Sequence, residues 1–158
     1  MREREMCELD LNGKLTRVEA NAGATLLSVL RDELRVLSPK RGCNQGVCGS
    51  CTVMVDDRPH RACLTLAACC GGKRVQTIEG FKGDPVMDAL QRSMIVSGGV
   101  QCGFCTSGML ISAQSLLKEN ASPSVDEIRE ALSGNLCRCT GYRRIVEAVV
   151  SAGAELAA

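Results

Sequence analysis

Arg41-Gly42-Cys43-Asn44-Gln45-Gly46-Val47-Cys48-Gly49-Ser50-Cys51 sets three cysteines and three glycines within eleven residues. The spacing is C-x4-C-x2-C, and Cys63 follows after eleven intervening residues. That triple is the spacing of a plant-type [2Fe–2S] loop. The residue types fit the chemistry. Iron in its lower oxidation states is held by soft, anionic thiolates. A loop that wraps such a cluster must turn sharply and aim backbone N–H groups at the sulfurs. Gly42, Gly46 and Gly49 supply that conformational freedom. A structural zinc site is the competing reading, but zinc sites usually pair two short cysteine knuckles.

Working outward, the first eighty residues read as strands around one helix. Cys7-Glu8-Leu9-Asp10-Leu11 alternates, and Asn12-Gly13 is a hairpin turn into Leu15-Thr16-Arg17-Val18. Thr25 is placed to cap a helix whose apolar face is Leu26, Val29, Leu30 and Leu34. Thr52-Val53-Met54-Val55 reads as a strand before an Asp56-Asp57 turn, and Arg74–Ile78 as a last strand. A helix crossing a small mixed sheet suits a β-grasp ferredoxin fold. Gly80 to Asp84 marks a boundary, with Asp84-Pro85 as a helix start. Beyond it the period turns helical: Val86, Leu90 and Met94 share one face, and Met109, Leu110, Ala113, Leu116 and Leu117 another. Ser124 with Glu127 forms a capping box ahead of Ile128 and Leu132, Gly134 ends that helix, and a fourth begins near Tyr142. The chain is therefore read as α+β, with a β-grasp ferredoxin-like domain over 1–80 and a C-terminal four-helix bundle over 84–158. The small-residue C-terminal tail is expected to fray.

Composition narrows the function classes. The 158 residues hold 45% hydrophobic but only 2% aromatic residues, and net charge is +1 from 19 basic and 18 acidic side chains. Neither a base-stacking surface nor a strong field for nucleic acid follows from these values. No apolar stretch approaches a membrane span. Met1 to Met6 alternates charges without an apolar run, unlike a secretory signal, so a cytoplasmic location is expected. Eleven cysteines in a reducing compartment fit metal ligation better than disulfides.

A second quartet accounts for four more of them. Cys102-Gly103-Phe104-Cys105 and Cys137-Arg138-Cys139 form C-x2-C and C-x-C, 31 residues apart. Each pair falls in a loop at a helix end, and folding can bring both loops to one end of the helices. Cys7, Cys69 and Cys70 remain, read as small buried hydrophobes. From spacing alone, Cys69 or Cys70 competes with Cys63 for the fourth place in the first quartet. His60 is the only histidine, whereas a Rieske centre needs two, so it is read as a surface turn residue. Arg31, Arg35, Lys40 and Arg41 are read as a solvated face, and Arg138 as a residue able to tune a cluster beside it.

Gln101-Cys-Gly-Phe-Cys-Thr-Ser-Gly-Met109 and Gly134-Asn-Leu-Cys-Arg-Cys-Thr-Gly-Tyr142 resemble the two-cluster iron–sulfur subunit of the molybdenum hydroxylases. This is the family of xanthine dehydrogenase, aldehyde oxidoreductase and carbon monoxide dehydrogenase. The first cysteine loop and Thr77-Ile-Glu-Gly80 agree, and the resemblance covers about residues 5–150. It favours Cys63, within Ala62-Cys-Leu-Thr-Leu66, as the fourth ligand. It implies that Cys43, Cys48, Cys51 and Cys63 hold one [2Fe–2S] cluster and Cys102, Cys105, Cys137 and Cys139 another. The second cluster would lie nearer a molybdenum–pterin cofactor in a large subunit, with Gln101 and Cys139 on the pterin side. The first would pass electrons toward FAD in a medium subunit, within a heterotrimer or a dimer of heterotrimers. Ser107 departs from the family pattern, which usually has proline there.

Three functions are weighed. One is the electron-transfer subunit of a molybdenum-containing oxidoreductase, with no substrate-converting site on this chain. The alternatives are a free-standing two-cluster ferredoxin and a zinc-stabilised interaction module. The eight-cysteine pattern and the resemblance favour the first.

Overall fold

A computed structural model describes residues 4–158. Residues 1–3, part of the charged start noted above, lie outside the described residues.

β1 (Arg4–Leu11) and β2 (Lys14–Asn21) form the antiparallel hairpin that Asn12-Gly13 foretells, with Leu9 opposite Thr16. Both turn residues are left-handed, at φ 54° and 80°, which matches the twist of the flanking strands. Asp56 and Asp57, at φ 47° and 63°, make a second turn of this kind between β3 (Thr52–Val55) and β4 (Arg58–Arg61). With β5 (Arg74–Gln76), the sheet runs β2-β1-β5-β3-β4, antiparallel except for the β1–β5 pair. β4 was not foreseen, because Arg58-Pro59-His60-Arg61 lacks an apolar alternation. Proline tolerates this edge position, and His60 is an exposed strand residue opposite Val53 rather than a turn residue. Ile78 leaves the last strand to open a 3-10 turn, Ile78–Phe81.

The helix over the sheet is short. Thr25 caps it, accepting from Ser28 N at 3.2 Å, and α1 (Leu26–Ser28) continues as a wide π turn through Val29–Glu33. Leu26, Leu27, Val29 and Leu30 are fully buried against Leu9, Val53 and Val75.

Four helices follow: α2 (Pro85–Val96), α3 (Thr106–Glu119), α4 (Val125–Leu132) and α5 (Arg143–Leu156). α2 packs on α3 and α5, α3 on α4, and α4 on α5. Met87, Leu90, Met109, Ile111, Ile128, Leu132 and Ile145 form their common core. Of the face read as Val86, Leu90 and Met94, the last two are buried and Val86 only partly so, while Met87 lies fully in the core. The small-residue C-terminal segment is helical, with α5 running to Leu156, and Ala148 and Ala152 are buried because small side chains let α5 approach its neighbours.

β3 joins the two cores. Val53 and Val55 face the α1 side, while Met54 enters the helical core, so all four residues of this strand are buried. A strand covered on both faces reads as a continuous apolar run.

Asp84 caps α2, accepting from Met87 N at 2.8 Å, and its carboxylate meets Lys118 Nζ at 3.0 Å. Partial burial raises its pKa, but the Met87 N–H and Lys118 outweigh this and hold it below the usual carboxylate range. A depressed folded-state pKa contributes stability that is present at neutral pH and lost as pH falls through that value. Asp84→Ala is expected to cost about 1 kcal/mol at pH 7. The loss should shrink toward pH 3 in denaturant titrations, because the wild type then loses the same interaction.

Candidate metal centres at the seam between sheet and helices

The loop from Arg41 to Cys51 enters β3 directly, so the rigid strand anchors Cys51 at one end. Cys43 Sγ accepts from Gln45 N at 3.3 Å and from Cys48 N at 3.4 Å. Cys63 Sγ accepts from Gly46 N at 3.3 Å, which brings Cys63 into the loop. Cys70 instead packs in the α1-side core, its thiol pointing to Leu66 O, and Cys69 is exposed, contrary to its reading as a buried hydrophobe.

Gly46 and Gly49 are left-handed, at φ 77° and 69°, as the wrap requires. A Cβ on Gly49 would also stand 2.3 Å from Gly134 O, so the glycine permits close approach of the helical region. Gly42 is not left-handed. Its value is space, since a Cβ there would lie 2.9 Å from Cys48 Sγ. Of the basic residues read as a solvated face, three brace this loop: Arg31 donates to Leu37 O and Pro39 O, Lys40 to Leu37 O, and Arg41 to Asp32.

The second quartet is drawn from the α2–α3 and α4–α5 connections. Cys105 immediately precedes α3, and Cys137 and Cys139 lie between α4 and α5. Cys102 and Cys139 are in thiol contact at 3.5 Å, and Cys105 meets Cys137. The first quartet likewise divides into Cys43 with Cys48 and Cys51 with Cys63. Two pairs per site suit a cluster of two irons, each taking two thiolates. Among the described residues, no three His, Cys, Asp or Glu side chains close on a single ion.

The thiols differ in readiness to ionise. Backbone N–H groups of Cys48 and Gln45 lower the Cys43 pKa to about 6. The Phe104 N–H lowers that of Cys102. Burial raises Cys51 to about 11 and Cys105 to about 12. Burial opposes ionisation of Cys137 too, but the Thr140 hydroxyl and nearby N–H groups overcome it.

The two sites adjoin. A groove of about 470 Å³ is lined by Gly42, Cys48, Phe104, Cys105 and Leu136 together with Cys102, Cys137 and Cys139. Leu136 N donates to Cys48 O at 2.9 Å, so one hydrogen bond joins the backbone of the first cysteine loop to that of the second. Asn135, fully buried, donates to Gly49 O at 3.1 Å and accepts from Ser112 Oγ at 2.9 Å. Tyr142, the only tyrosine, donates to Asn135 O at 3.1 Å and accepts from Cys137 N at 2.9 Å. Ser107 Oγ donates to Ser38 O at 2.7 Å, a cross-seam bond that proline at this position would lack. Arg61 Nη2 also crosses the seam, donating to Gly134 O at 2.7 Å. Neither Asn135 nor Arg61 is marked by sequence pattern as a seam residue, beyond the placing of a polar asparagine two residues before Cys137.

Gln101, Cys102, Arg138 and Cys139 are exposed, as are Val100, Phe104 and Leu136 around them. Ile95 and Val96, at the end of α2, are also exposed. No helix of the described residues is long and apolar enough to cross a membrane.

Residues 77–150 match the family described as a [2Fe-2S] binding domain, and residues 10–97 that described as a 2Fe-2S iron-sulfur cluster binding domain. The chain is 44% identical to the nicotine 6-hydroxylase small subunit of Paenarthrobacter nicotinovorans, covering 98% of this chain and 93% of that one. It is 40% identical to the aldehyde oxidoreductase iron-sulfur-binding subunit of Escherichia coli, over 94% of this chain and 71% of the other. Among solved structures, quinoline 2-oxidoreductase from Pseudomonas putida 86 superposes with a TM-score of 0.91 at 44% identity, over 98% of this chain and 96% of that one. The two matched families thus define an electron carrier of two [2Fe–2S] clusters. The chain belongs to the iron–sulfur subunits of the molybdenum hydroxylase family, and is an electron-transfer subunit rather than a free-standing ferredoxin.

In cluster-free protein at pH 7, iodoacetamide is expected to label Cys43 ahead of Cys51 and Cys105, as peptide mass spectrometry would read. Labelling of Cys43 should slow roughly tenfold per pH unit below its pKa, because only the thiolate reacts. With clusters bound, Cys69 should remain reactive while the eight paired cysteines are protected.

Proposed function

We propose that Cys43, Cys48, Cys51 and Cys63 hold one [2Fe–2S] cluster and that Cys102, Cys105, Cys137 and Cys139 hold the second. The division of each quartet into two thiol pairs supports this reading most directly. Residues 1–80 then form the ferredoxin-like domain, and 84–158 a four-helix bundle whose cysteine loops gather at one end. Each cluster, when bound, takes up and returns one electron.

This chain's own residues do the rest. Backbone N–H groups of Gln45, Gly46 and Cys48, already aimed at sulfur, stabilise negative charge on the first quartet. Gly49, Leu136 and Asn135 hold the quartets edge to edge, and α1, β3 and α3 keep water from their inner sides. The exposed rim at Gln101, Cys102 and Cys139, flanked by Val100 and Phe104, suits a large molybdenum-cofactor subunit with the pterin near Gln101 and Cys139. The first quartet suits a medium FAD subunit or another acceptor. The complex would be a heterotrimer or a dimer of heterotrimers, acting in the cytoplasm.

Cys102→Ser or Cys137→Ser is expected to abolish electron flow through the assembled complex while the first cluster's EPR signal persists. Loss of both signals together would show that the ligands are wrongly divided. Mass spectrometry of co-purifying chains, with molybdenum analysis, checks the partners. A chain that purifies alone, without molybdenum, would defeat the assignment of partners.

A further inference from the structure

The guanidinium of Arg61 is half-buried where the two cysteine loops meet. Its Nη1 donates to Thr52 Oγ1 at 2.7 Å and its Nη2 to Gly134 O at 2.7 Å. Both acceptors are neutral. None of the ion pairs among the described residues involves Arg61. The residue stands two positions before Cys63, and its fork reaches a carbonyl three positions before Cys137. Its own carbonyl accepts from Leu64 N at 2.9 Å and Thr65 N at 3.2 Å, which fixes the turn carrying Cys63. Withdrawing a cation from water costs free energy that neutral acceptors only partly return. Bracing alone needs no charge, since a neutral amide can donate to the same carbonyl.

We propose that Arg61 is a positioning residue whose fixed positive charge stabilises the reduced state of the clusters, chiefly the first, and so raises their potentials. This rests on the two-cluster reading above. Each cluster gains one electron from a reduced partner centre and later loses it to the next acceptor, while Arg61 is neither oxidised nor reduced. Every electron received adds one negative charge to a cluster whose nearest ligand in sequence, Cys63, stands two residues from Arg61. The attraction acts in a partly dehydrated seam, where charges are screened less than in bulk water. Net charge and hydrogen bonding around a cluster are established determinants of its potential.

The test is an EPR-monitored redox titration of the purified complex carrying Arg61→Gln, Arg61→Met or Arg61→Lys. At the wild-type midpoint of the first cluster, Arg61→Gln and Arg61→Met are expected to lower the reduced-to-oxidised ratio about threefold or more. Arg61→Lys, which keeps the charge but not the fork, should stay near wild type. A residue that only braces the seam would make lysine and glutamine shift the ratio alike, and that result overturns the proposal. So does no shift in any variant. If the neutral variants lose their clusters, Ser115→Asp serves. Ser115 lines the same shallow cavity as Arg61 and Glu119, so a carboxylate there adds to the negative charge facing the guanidinium without removing either hydrogen bond. A lower reduced fraction supports the proposal, and an unchanged one overturns it. Wild-type complex without two [2Fe–2S] signals would instead defeat the two-cluster reading itself.

Discussion

The contact between the first cysteine loop and the segment before Cys137 is the constraint on which the rest depends. Leu136 N meets Cys48 O and Asn135 meets Gly49 O, so two loops from different layers share one short seam. Buried polar groups of this kind must be fully partnered, because an unpaired amide in the interior costs on the order of 1–3 kcal/mol. Asn135 meets the condition: its amide donates to Gly49 O, its side-chain oxygen accepts from Ser112, and its carbonyl accepts from Tyr142. The close approach is available only because Gly49, Gly108 and Gly134 lack side chains. A Cβ on Gly108 would stand 2.3 Å from Gly49 O, and one on Gly134 would strike the Arg61 guanidinium.

The seam explains why sheet and helices form one body rather than two beads. β3 gives Val53 and Val55 to one core and Met54 to the other, so neither core closes without it. Thr52, on the Met54 side of the strand, accepts from Arg61 and from the Asn135 amide. The strand that anchors Cys51 thereby also carries the contact to the second quartet. Electron transfer depends on fixed separation between carriers, and a rigid strand between two packed cores supplies it.

Much of this was legible along the chain. Both hairpin turns, the Thr25, Asp84 and Ser124 caps and the apolar faces of three helices follow from local chemistry that neighbours in sequence complete by themselves. The three-glycine loop announced a cluster for the same reason. What escaped was non-local. β4 carries arginines, proline and histidine because it is an exposed edge. Met87 rather than Val86 fills the core because the face that α2 buries is set by its packing on α3 and α5. Cys69 and Cys70 look alike in sequence, yet one is exposed and the other lies in a core.

The amino-acid sequence by itself determined the eight spaced cysteines, their division into two quartets and the order of most strands before the helical region, since these rest on spacing and on short-range backbone preference. Only the tertiary structure decided which thiols pair, and it brings Cys63, which the family resemblance favoured, rather than Cys69 or Cys70 to the first loop. It alone set the two quartets side by side with an arginine lodged at their junction. Those outcomes depend on contacts between residues as far apart as Gly49 and Asn135, and such contacts exist only once both cores have packed around β3.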